Sequence, residues 1–209
     1  MRRLAIIGSS DLGRQIAHYA RRNGFKIMGF FDDYQTASSV DDYPVLGKCD
    51  EIPDFYRNGD FDELVCAIGY YHFDTRRDMY QRFSESGIPF ATIVDESCHV
   101  DPTASIGEGS VLFPGAFVDK NVSIKNNVLL NVCSTIAHDS VVGSHTFVSP
   151  RVAIAGFCSI GEQCMLGINS TIIDNIVITN KVKLGGGSLV IKNIETPGLY
   201  VGSPVRYIR

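Results

Sequence analysis

The repeat that decides the fold is clearest in residues 154–172, which read IAGFCSIGEQCMLGINSTI. An aliphatic residue recurs at every sixth position of this stretch, as at Ile154 and Ile160, and the fourth residue after each is small, as at Cys158. A period of six belongs neither to an α-helix nor to a single alternating strand. It indicates a solenoid in which each hexad forms one flat side and its aliphatic residue points inward.

The same spacing extends well beyond this stretch. From Val100 to Val190, sixteen consecutive positions at intervals of six hold Val, Ile or Leu. Three hexads make one triangular coil, so residues eighteen apart are stacked, and the coils lie about 4.8 Å apart like neighbouring strands. We therefore predict a β-helical prism of about five coils over residues 96–195, followed by a C-terminal tail over residues 196–209.

Five of the inward aliphatic residues are followed directly by glycine. Glycine adopts positive φ at little cost, so these positions are predicted to be the turns of the prism. They are Gly107, Gly143, Gly161, Gly167 and Gly185.

Residues 1–95 show a different pattern, in which short apolar runs alternate with helical segments. This alternation indicates an α/β domain with a parallel sheet, about half the size of a Rossmann fold. The predicted strands are Leu4–Gly8, Phe25–Phe31, Leu64–Gly69 and Phe90–Val94, and the predicted helices are Asp11–Arg22 and Phe73–Ser86. Ligands of such sheets bind beyond the carboxyl ends of the strands.

Three groups of residues fall at that edge. The turn after the first strand lacks the second glycine of G-x-G-x-x-G, but it opens a helix whose first N–H groups, at Ser10, Asp11 and Leu12, can bind an anion. The second strand ends in Asp32 and Asp33, which can accept ribose hydroxyls, and Gly69 follows the third strand. We predict that the domain binds a nucleotide-bearing ligand and is too small for a full dinucleotide.

The composition argues against a nucleic-acid partner and against a membrane or secreted protein. The net charge of −4 provides no basic surface for nucleic acid. No apolar run approaches the length of a membrane span, and the five-residue run near the N-terminus is too short for a signal peptide. The six cysteines form no C-x-x-C pair, which indicates reduced thiols and a cytoplasmic protein.

The hexad pattern, for which Ile160–Met165 is a clear example, resembles that of the hexapeptide-repeat acyltransferases, whose prisms are left-handed parallel β-helices. With the N-terminal motifs added, the chain resembles the nucleotide-linked amino-sugar N-acetyltransferases and the related sialic acid O-acetyltransferases. Further matching stretches are Asn131–Asp139, Leu166–Ser170, Leu184–Gly187 and Gly202–Pro204. The resemblance implies acetyl-CoA as donor without a metal, a homotrimer with active sites between prisms, and a role in lipopolysaccharide O-antigen biosynthesis.

Acetyl transfer needs a base for the attacking group and a hydrogen-bond donor for the oxyanion. The repeat places His138 on the prism and stacks Gly156 beneath it, eighteen residues further on. A glycine leaves its backbone N–H open to a thioester carbonyl. The resemblance independently implies His138 as the general base and Gly156 as a contact of the thioester oxygen.

The resemblance also implies that Asp139 polarises the imidazole of His138. Neighbours in a strand point to opposite faces, so this pairing requires a bend, and a solvated charge is the alternative. Some relatives carry a second histidine nine residues after the base, where this chain has Phe147. The role of that histidine is therefore not transferred.

Three further residues take roles from the resemblance. Asn131 is predicted to help position the substrate amine, and Ile168 and Gly186 are predicted to line the pantetheine arm of acetyl-CoA. The preferred reaction is direct N-acetylation of a 4-amino group on a nucleotide-linked 4-amino-4,6-dideoxy sugar.

Other activities remain open from sequence. O-acetylation of sialic acid would use a cationic clamp for the carboxylate, with Arg14, Arg76 and Arg77 as candidates. A metal lyase would need three phased imidazoles, whereas His99, His138 and His145 differ in hexad position. A non-catalytic sugar-binding scaffold would not need His138, and an acyl-enzyme route would use Cys133.

Overall fold

The computed structural model describes residues 1–209 and divides into two units, Met1–Ile93 and Val94–Arg209. Each unit has its own hydrophobic core. The predicted boundary, between residues 95 and 96, lies two residues further along the chain. None of the helices has the length and apolarity needed to cross a bilayer.

The first unit is a five-stranded sheet with three α-helices. The strand order is β3-β4-β2-β1-β5, in which β1 pairs in parallel with β2 and β5. The elements are β1 (Arg3–Ile7), α1 (Asp11–Arg22), β2 (Lys26–Phe31), β3 (Ser39–Val40), β4 (Tyr43–Gly47), a 3₁₀ turn (Cys49–Glu51), α2 (Ile52–Arg57), β5 (Glu63–Cys66) and α3 (Phe73–Glu85). The bounds of α1 match its predicted residues, because its buried face repeats at helical spacing.

Two parts of this unit differ from the sequence prediction. The predicted strand Phe90–Val94 is wrong, because only Phe90 bridges Leu64 and the chain then leaves the sheet. Ile93–Val94 instead forms β6 in a sheet of the second unit. The elements between residues 39 and 57 were not predicted, since strands of two and five residues and helices of three and six residues are too short to show a clear period.

The second unit is a prism with three walls, called A, B and C, each a sheet of stacked strands that are parallel except for the last strand of wall C. Wall A contains β7 (His99–Val100), β10 (Phe117–Val118), β13 (Thr135–Ile136), β16 (Ala153–Ile154), β19 (Thr171–Ile172) and β22 (Leu189–Val190). Wall B contains β8 (Ser105–Ile106), β11 (Ser123–Ile124), β14 (Val141–Val142), β17 (Ser159–Ile160) and β20 (Val177–Ile178). Wall C contains β6, β9 (Val111–Leu112), β12 (Leu129–Leu130), β15 (Phe147–Val148), β18 (Met165–Leu166), β21 (Val182–Leu184), β23 (Gly198–Val201) and β24 (Arg206–Tyr207).

Residues eighteen apart are paired throughout the prism, as Ile136 is with Ile154. The inward aliphatic side chains form one continuous buried core. Small polar residues at the corners link the coils: the Ser140 hydroxyl donates to the Ala155 carbonyl (3.0 Å) and accepts the Cys158 N–H (3.0 Å). The fold class predicted from the sequence, an α/β domain followed by a hexapeptide-repeat β-helix, is confirmed.

Two details of the prism differ from the prediction. Positive φ falls on the third residue after the inward aliphatic, as at Asn121 and Asp139, and not on the glycine directly after it. A Cβ on Gly143 would lie 2.6 Å from the carbonyl carbon of Gly161 in the next coil, so these glycines permit close stacking. Residues 196–209, expected as a tail, contain β23 and β24, and β23 pairs with β21.

Candidate active site

The corner between walls A and B, called corner AB, carries His138 and Asp139. Nδ1 of the His138 imidazole lies 2.9 Å from Oδ2 of Asp139. Asp139 adopts a left-handed φ of 57°, and this bend brings two consecutive side chains together, which a regular strand would not allow. The imidazole is 43% exposed, so it is accessible to a substrate.

The Asp139 carboxylate is held at both oxygens. The side-chain amide of Asn121 donates to Oδ1 at 2.9 Å. The hydrogen bonds from Asn121 and from His138 hold the pKa of Asp139 below its usual value. An ionised carboxylate next to Nδ1 favours the tautomer that carries its proton there, and this leaves Nε2 free to accept a proton.

Gly156 lies directly against the imidazole. A Cβ built on Gly156 would be 2.7 Å from Cε1 and 2.9 Å from Nε2 of His138. The coil-to-coil ladder uses the N–H groups of Ala155 and Phe157, which donate to the Ile172 and His138 carbonyls, and not that of Gly156. The stacking predicted by counting eighteen residues is therefore present, with a bare backbone facing the imidazole.

Three predicted residues lie elsewhere, on the corner between walls C and A, called corner CA. Gly186 stacks under Ile168, whose Cγ2 would be 3.1 Å from a Cβ at Gly186, and Ile168 is 50% exposed. Asn131 is also at this corner, where its Oδ1 accepts the N–H of Val132 at 2.8 Å. Wall A separates corner CA from corner AB, so one chain does not bring these three residues to His138.

The other histidines of the prism lie outside this site. His145 is buried at the corner between walls B and C, with Nδ1 3.0 Å from Nδ2 of Asn127. His99 is on β7 of wall A and stacks on Phe117. Phe147, at the position of the second histidine of some relatives, is buried as a packed side chain. The structure contains no group of three His, Cys, Asp or Glu side chains that could hold a metal ion.

The first unit has a pocket of about 520 Å³ at the carboxyl ends of β1, β2 and β5. Of the predicted residues, Ser10, Asp32, Asp33 and Gly69 line it, whereas Asp11 and Leu12 do not. No atom lies within 4 Å of the position a Cβ would take on Gly69, so space for a ligand is open there. Among the lining residues that were not predicted, His72 directly precedes α3, and Thr75 and Met79 lie within it.

Comparison with known proteins supports the fold assigned to both units. Residues 3–83 match the PglD N-terminal domain family. The acetyltransferase domain of PglB from Neisseria gonorrhoeae FA1090 is 25% identical, covers 100% of both chains and superposes with a TM-score of 0.92. The chain therefore resembles the hexapeptide-repeat nucleotide-sugar N-acetyltransferases, and the resemblance predicted from the sequence is confirmed.

Two further proteins are similar to this chain, one over nearly its whole length and one over about half of it. PerB from Caulobacter crescentus, solved with CoA and GDP-perosamine, is 23% identical over 99% of this chain and 97% of its own, with a TM-score of 0.92. The UDP-3-O-acylglucosamine N-acyltransferase of Bordetella pertussis (strain Tohama I) is 34% identical over 97 residues, which are 46% of this chain. This chain covers 26% of that curated relative. The relatives are acetyl- or acyltransferases, and the PglB domain was also solved with acetyl-CoA, the donor predicted from the sequence.

At the pocket of the first unit, Asp32 has a structural role that the sequence prediction missed. Its carboxylate accepts four hydrogen bonds, from the N–H (2.8 Å) and hydroxyl (2.7 Å) of Ser9 and from the N–H groups of Tyr34 (2.9 Å) and Gln35 (3.1 Å). Burial alone would raise the pKa of Asp32, but these hydrogen bonds lower it. All its acceptor positions are occupied, so a ribose hydroxyl cannot be its partner.

Asp33 is the better candidate for a ribose contact. It is exposed at the pocket and uses Oδ1 to accept the Cys49 N–H at 2.8 Å. The Cys49 thiol also forms a hydrogen bond to this carboxylate. An ionised carboxylate has about four acceptor sites, so acceptor capacity is left for a hydroxyl.

The two aspartates provide a matched pair of variants. Asp33→Asn is expected to raise KM for a nucleotide sugar about tenfold without lowering the thermal midpoint, since it weakens one charged hydrogen bond to ligand. Asp32→Asn is expected to lower the free energy of unfolding by about 2 kcal/mol, since an amide nitrogen cannot accept the Ser9 donors. Denaturant titration and steady-state kinetics check both.

The same pair has a pH signature. The folded-state pKa of Asp32 is depressed, so its contribution to stability is present above its usual value of 3.8 and is lost as pH falls through the folded pKa. The stability difference between wild type and Asp32→Asn should therefore be constant near neutral pH and shrink below that value. An equal loss of stability in both variants would contradict the division of roles.

None of the three arginines proposed for a carboxylate clamp lines the pocket. Arg76 is buried and donates to the carbonyls of Cys66 (2.7 Å) and Ile68 (3.0 Å). Arg14 pairs with Asp41 at 2.8 Å, and Arg77 pairs with Asp78 at 2.7 Å. The feature that a sialic acid would require is not formed in this pocket.

Proposed function

We propose that this chain is an acetyl-CoA-dependent N-acetyltransferase for the 4-amino group of a nucleotide-linked amino-deoxy sugar, such as a UDP-, dTDP- or GDP-4-amino-4,6-dideoxyhexose. The observation that carries the proposal is the imidazole of His138, paired with Asp139 at Nδ1 and lying against the bare backbone of Gly156. A base and an oxyanion donor are the two groups that acyl transfer to an amine requires.

In the proposed mechanism the sugar amine attacks the thioester carbonyl directly. The new C–N bond forms as Nε2 of His138 takes a proton from the amine, and the carbonyl oxygen becomes an oxyanion that accepts the Gly156 N–H. Collapse of this intermediate breaks the C–S bond. The CoA thiolate leaves and takes the proton from the imidazolium, which restores His138 to its neutral form.

The pocket of the first unit supports a nucleotide as the handle of the acceptor. Ser10 lines the pocket and directly precedes the twelve-residue helix α1, and the N-terminus of such a helix favours a diphosphate. Asp33 supplies an acceptor for ribose, and Gly69 leaves room for close approach of the ligand. The likeness to the PglB acetyltransferase domain and the GDP-perosamine complex of PerB, which shares the fold, motivate the choice of nucleotide sugars to test.

A homotrimer accounts for the separation of the predicted acetyl-CoA residues. His138 and Gly156 are at corner AB, whereas Ile168 and Gly186 are at corner CA. A threefold arrangement that sets corner AB of one copy beside corner CA of the next would form one groove from both. In this arrangement Ile168 and Gly186 line the pantetheine arm and Asn131 helps to position the amine. The site of action is the cytoplasm, where acetyl-CoA and nucleotide sugars are made, and the product would serve O-antigen synthesis.

The most informative experiment is a thiol-release assay with acetyl-CoA. UDP-, dTDP- and GDP-linked 4-amino sugars form one arm, and free and CMP-linked sialic acids form the other. We expect CoA release with at least one amino sugar and N-acetylated product by mass spectrometry. Release with sialic acid alone would replace the proposal with O-acetylation.

A covalent route through Cys133 is the main mechanistic alternative, because Cys133 is the exposed cysteine among six free thiols. Burial raises the pKa of Cys49 to about 12 and that of Cys164 to about 11, so these thiols are inert. Cys133 is at corner CA, which the proposed trimer would bring to the same groove, but its thiol forms no hydrogen bond to a basic side chain of this chain that could ionise it.

We therefore expect Cys133→Ala to retain kcat within about twofold while losing the fastest reaction with a thiol reagent. Buried Cys164→Ala serves as the control that keeps the fast phase. Acetylated Cys133 in quenched wild-type reactions, together with loss of turnover in Cys133→Ala, would establish the acyl-enzyme route.

A further inference from the structure

A chain of hydrogen bonds runs along corner AB through three successive coils and ends at the His138–Asp139 pair. Asn121 lies eighteen residues before Asp139 and is stacked against it, with Nδ2 donating to Oδ1 of Asp139 at 2.9 Å. The other carboxylate oxygen, Oδ2, contacts Nδ1 of His138 at 2.9 Å. The two oxygens of one carboxylate are thus held by two different side chains.

Asn121 is itself fixed by the coil before it. Its backbone N–H donates to the Thr103 hydroxyl at 2.8 Å, and that hydroxyl donates to Oδ1 of Asp101 at 2.6 Å. Asn121 has a left-handed φ of 57°, a conformation that asparagine adopts more readily than most residues. The amide is therefore presented to Asp139 by a backbone that has little freedom.

A carboxylate that is bonded at one oxygen can rotate about its Cβ–Cγ bond, and the Asp139 side chain is 29% exposed, so packing alone does not prevent this. A second bond at the other oxygen fixes the plane of the group. We propose that Asn121 is a positioning residue of the active site, which orients Asp139 and, through it, sets the tautomer and direction of the His138 imidazole. The inference rests on the proposed function, in which His138 is the base.

Kinetics of Asn121 variants provide the first test. Asn121→Ala is expected to lower kcat about tenfold, with KM for acetyl-CoA unchanged, since its amide is engaged by Asp139 and affects the reaction through the His138–Asp139 pair. Asn121→Asp keeps the shape and the tolerance of left-handed φ, but at pH 8 it replaces the donor with a charge that repels Asp139. It should therefore lose at least as much activity as the alanine variant.

Asn175→Ala is the matched control. Asn175 is exposed at the same corner with a φ of 61°, and its amide donates to Asp174 at 2.7 Å, away from the His138–Asp139 pair. Both alanine variants carry the same backbone strain, so a merely structural effect would appear in both. Full activity in Asn121→Asp, or equal losses in Asn121→Ala and Asn175→Ala, would overturn the inference.

The ring tautomer of His138 provides a test that does not depend on turnover. Nitrogen-15 spectra at pH 8 resolve the protonated ring nitrogen of each of the five histidines, and His138→Ala identifies the His138 signals. We expect the Nδ1–H form in wild type and Asn175→Ala, and a mixture of tautomers in Asn121→Ala. If wild type turned over none of the sugars, only the proposed function would be contradicted. If the His138 tautomer were unchanged in Asn121→Ala, only the positioning role of Asn121 would be contradicted.

Discussion

Replacing His138 with alanine is expected to lower kcat for acetyl transfer by about 10²- to 10⁴-fold, the range for loss of a general base. The imidazole is the basic side chain that lies against Gly156, and its Nδ1 is occupied by Asp139, so Nε2 has no substitute. The variant should fold normally, since the imidazole is 43% exposed and contributes nothing to the buried core. Stopped assays of CoA release, with thermal denaturation alongside, measure both.

His99→Ala is the control for this prediction. His99 is an exposed histidine on wall A that stacks on Phe117, and it should turn over like wild type when replaced. Full activity of His138→Ala would favour the scaffold interpretation, in which the prism binds a nucleotide sugar without catalysis. Loss of activity in both variants would point to damage of the prism instead.

Adding one methyl group at Gly156 is expected to have the second largest effect, a loss of about a hundredfold in kcat. The new Cβ would lie 2.7 Å from Cε1 and 2.9 Å from Nε2 of His138, so the ring must move. The His138 ring is also held by the hydrogen bond between its Nδ1 and Asp139, at 2.9 Å, and a movement of the ring away from Gly156 would break that bond. The same methyl group would also crowd a thioester oxygen that approaches the Gly156 N–H.

The fold should tolerate Gly156→Ala, because Gly156 does not have a positive φ. The thermal midpoint is therefore expected to stay close to that of wild type. Asp174→Ala, which changes the residue below Gly156 in the next coil, is the control and should keep its activity. Normal kcat in Gly156→Ala would show that the imidazole does not act from the position it occupies in this structure.

The sequence alone was sufficient wherever position in the chain determines position in space. In a prism of eighteen-residue coils every inward aliphatic residue repeats in register, so counting from Val100 located the walls and stacked Gly156 against His138. The strand-end residues of the first unit were found for a similar reason, since parallel strands bring their carboxyl ends to one edge.

Only the tertiary structure decided which polar groups are already occupied and which side chains meet. Asp32 and Asp33 look equivalent in sequence. In the structure, donors from Ser9 and from the turn at Tyr34 occupy all acceptor sites of Asp32, whereas Asp33, which accepts from Cys49, keeps unused acceptor sites. The left-handed turn at Asp139 joins it to both His138 and Asn121. Periodicity predicts where aliphatic side chains are buried, because burial requires only an apolar side chain at the right position in the repeat. Hydrogen bonds depend on φ and on atoms of neighbouring coils, which a repeat of hydrophobic residues does not specify.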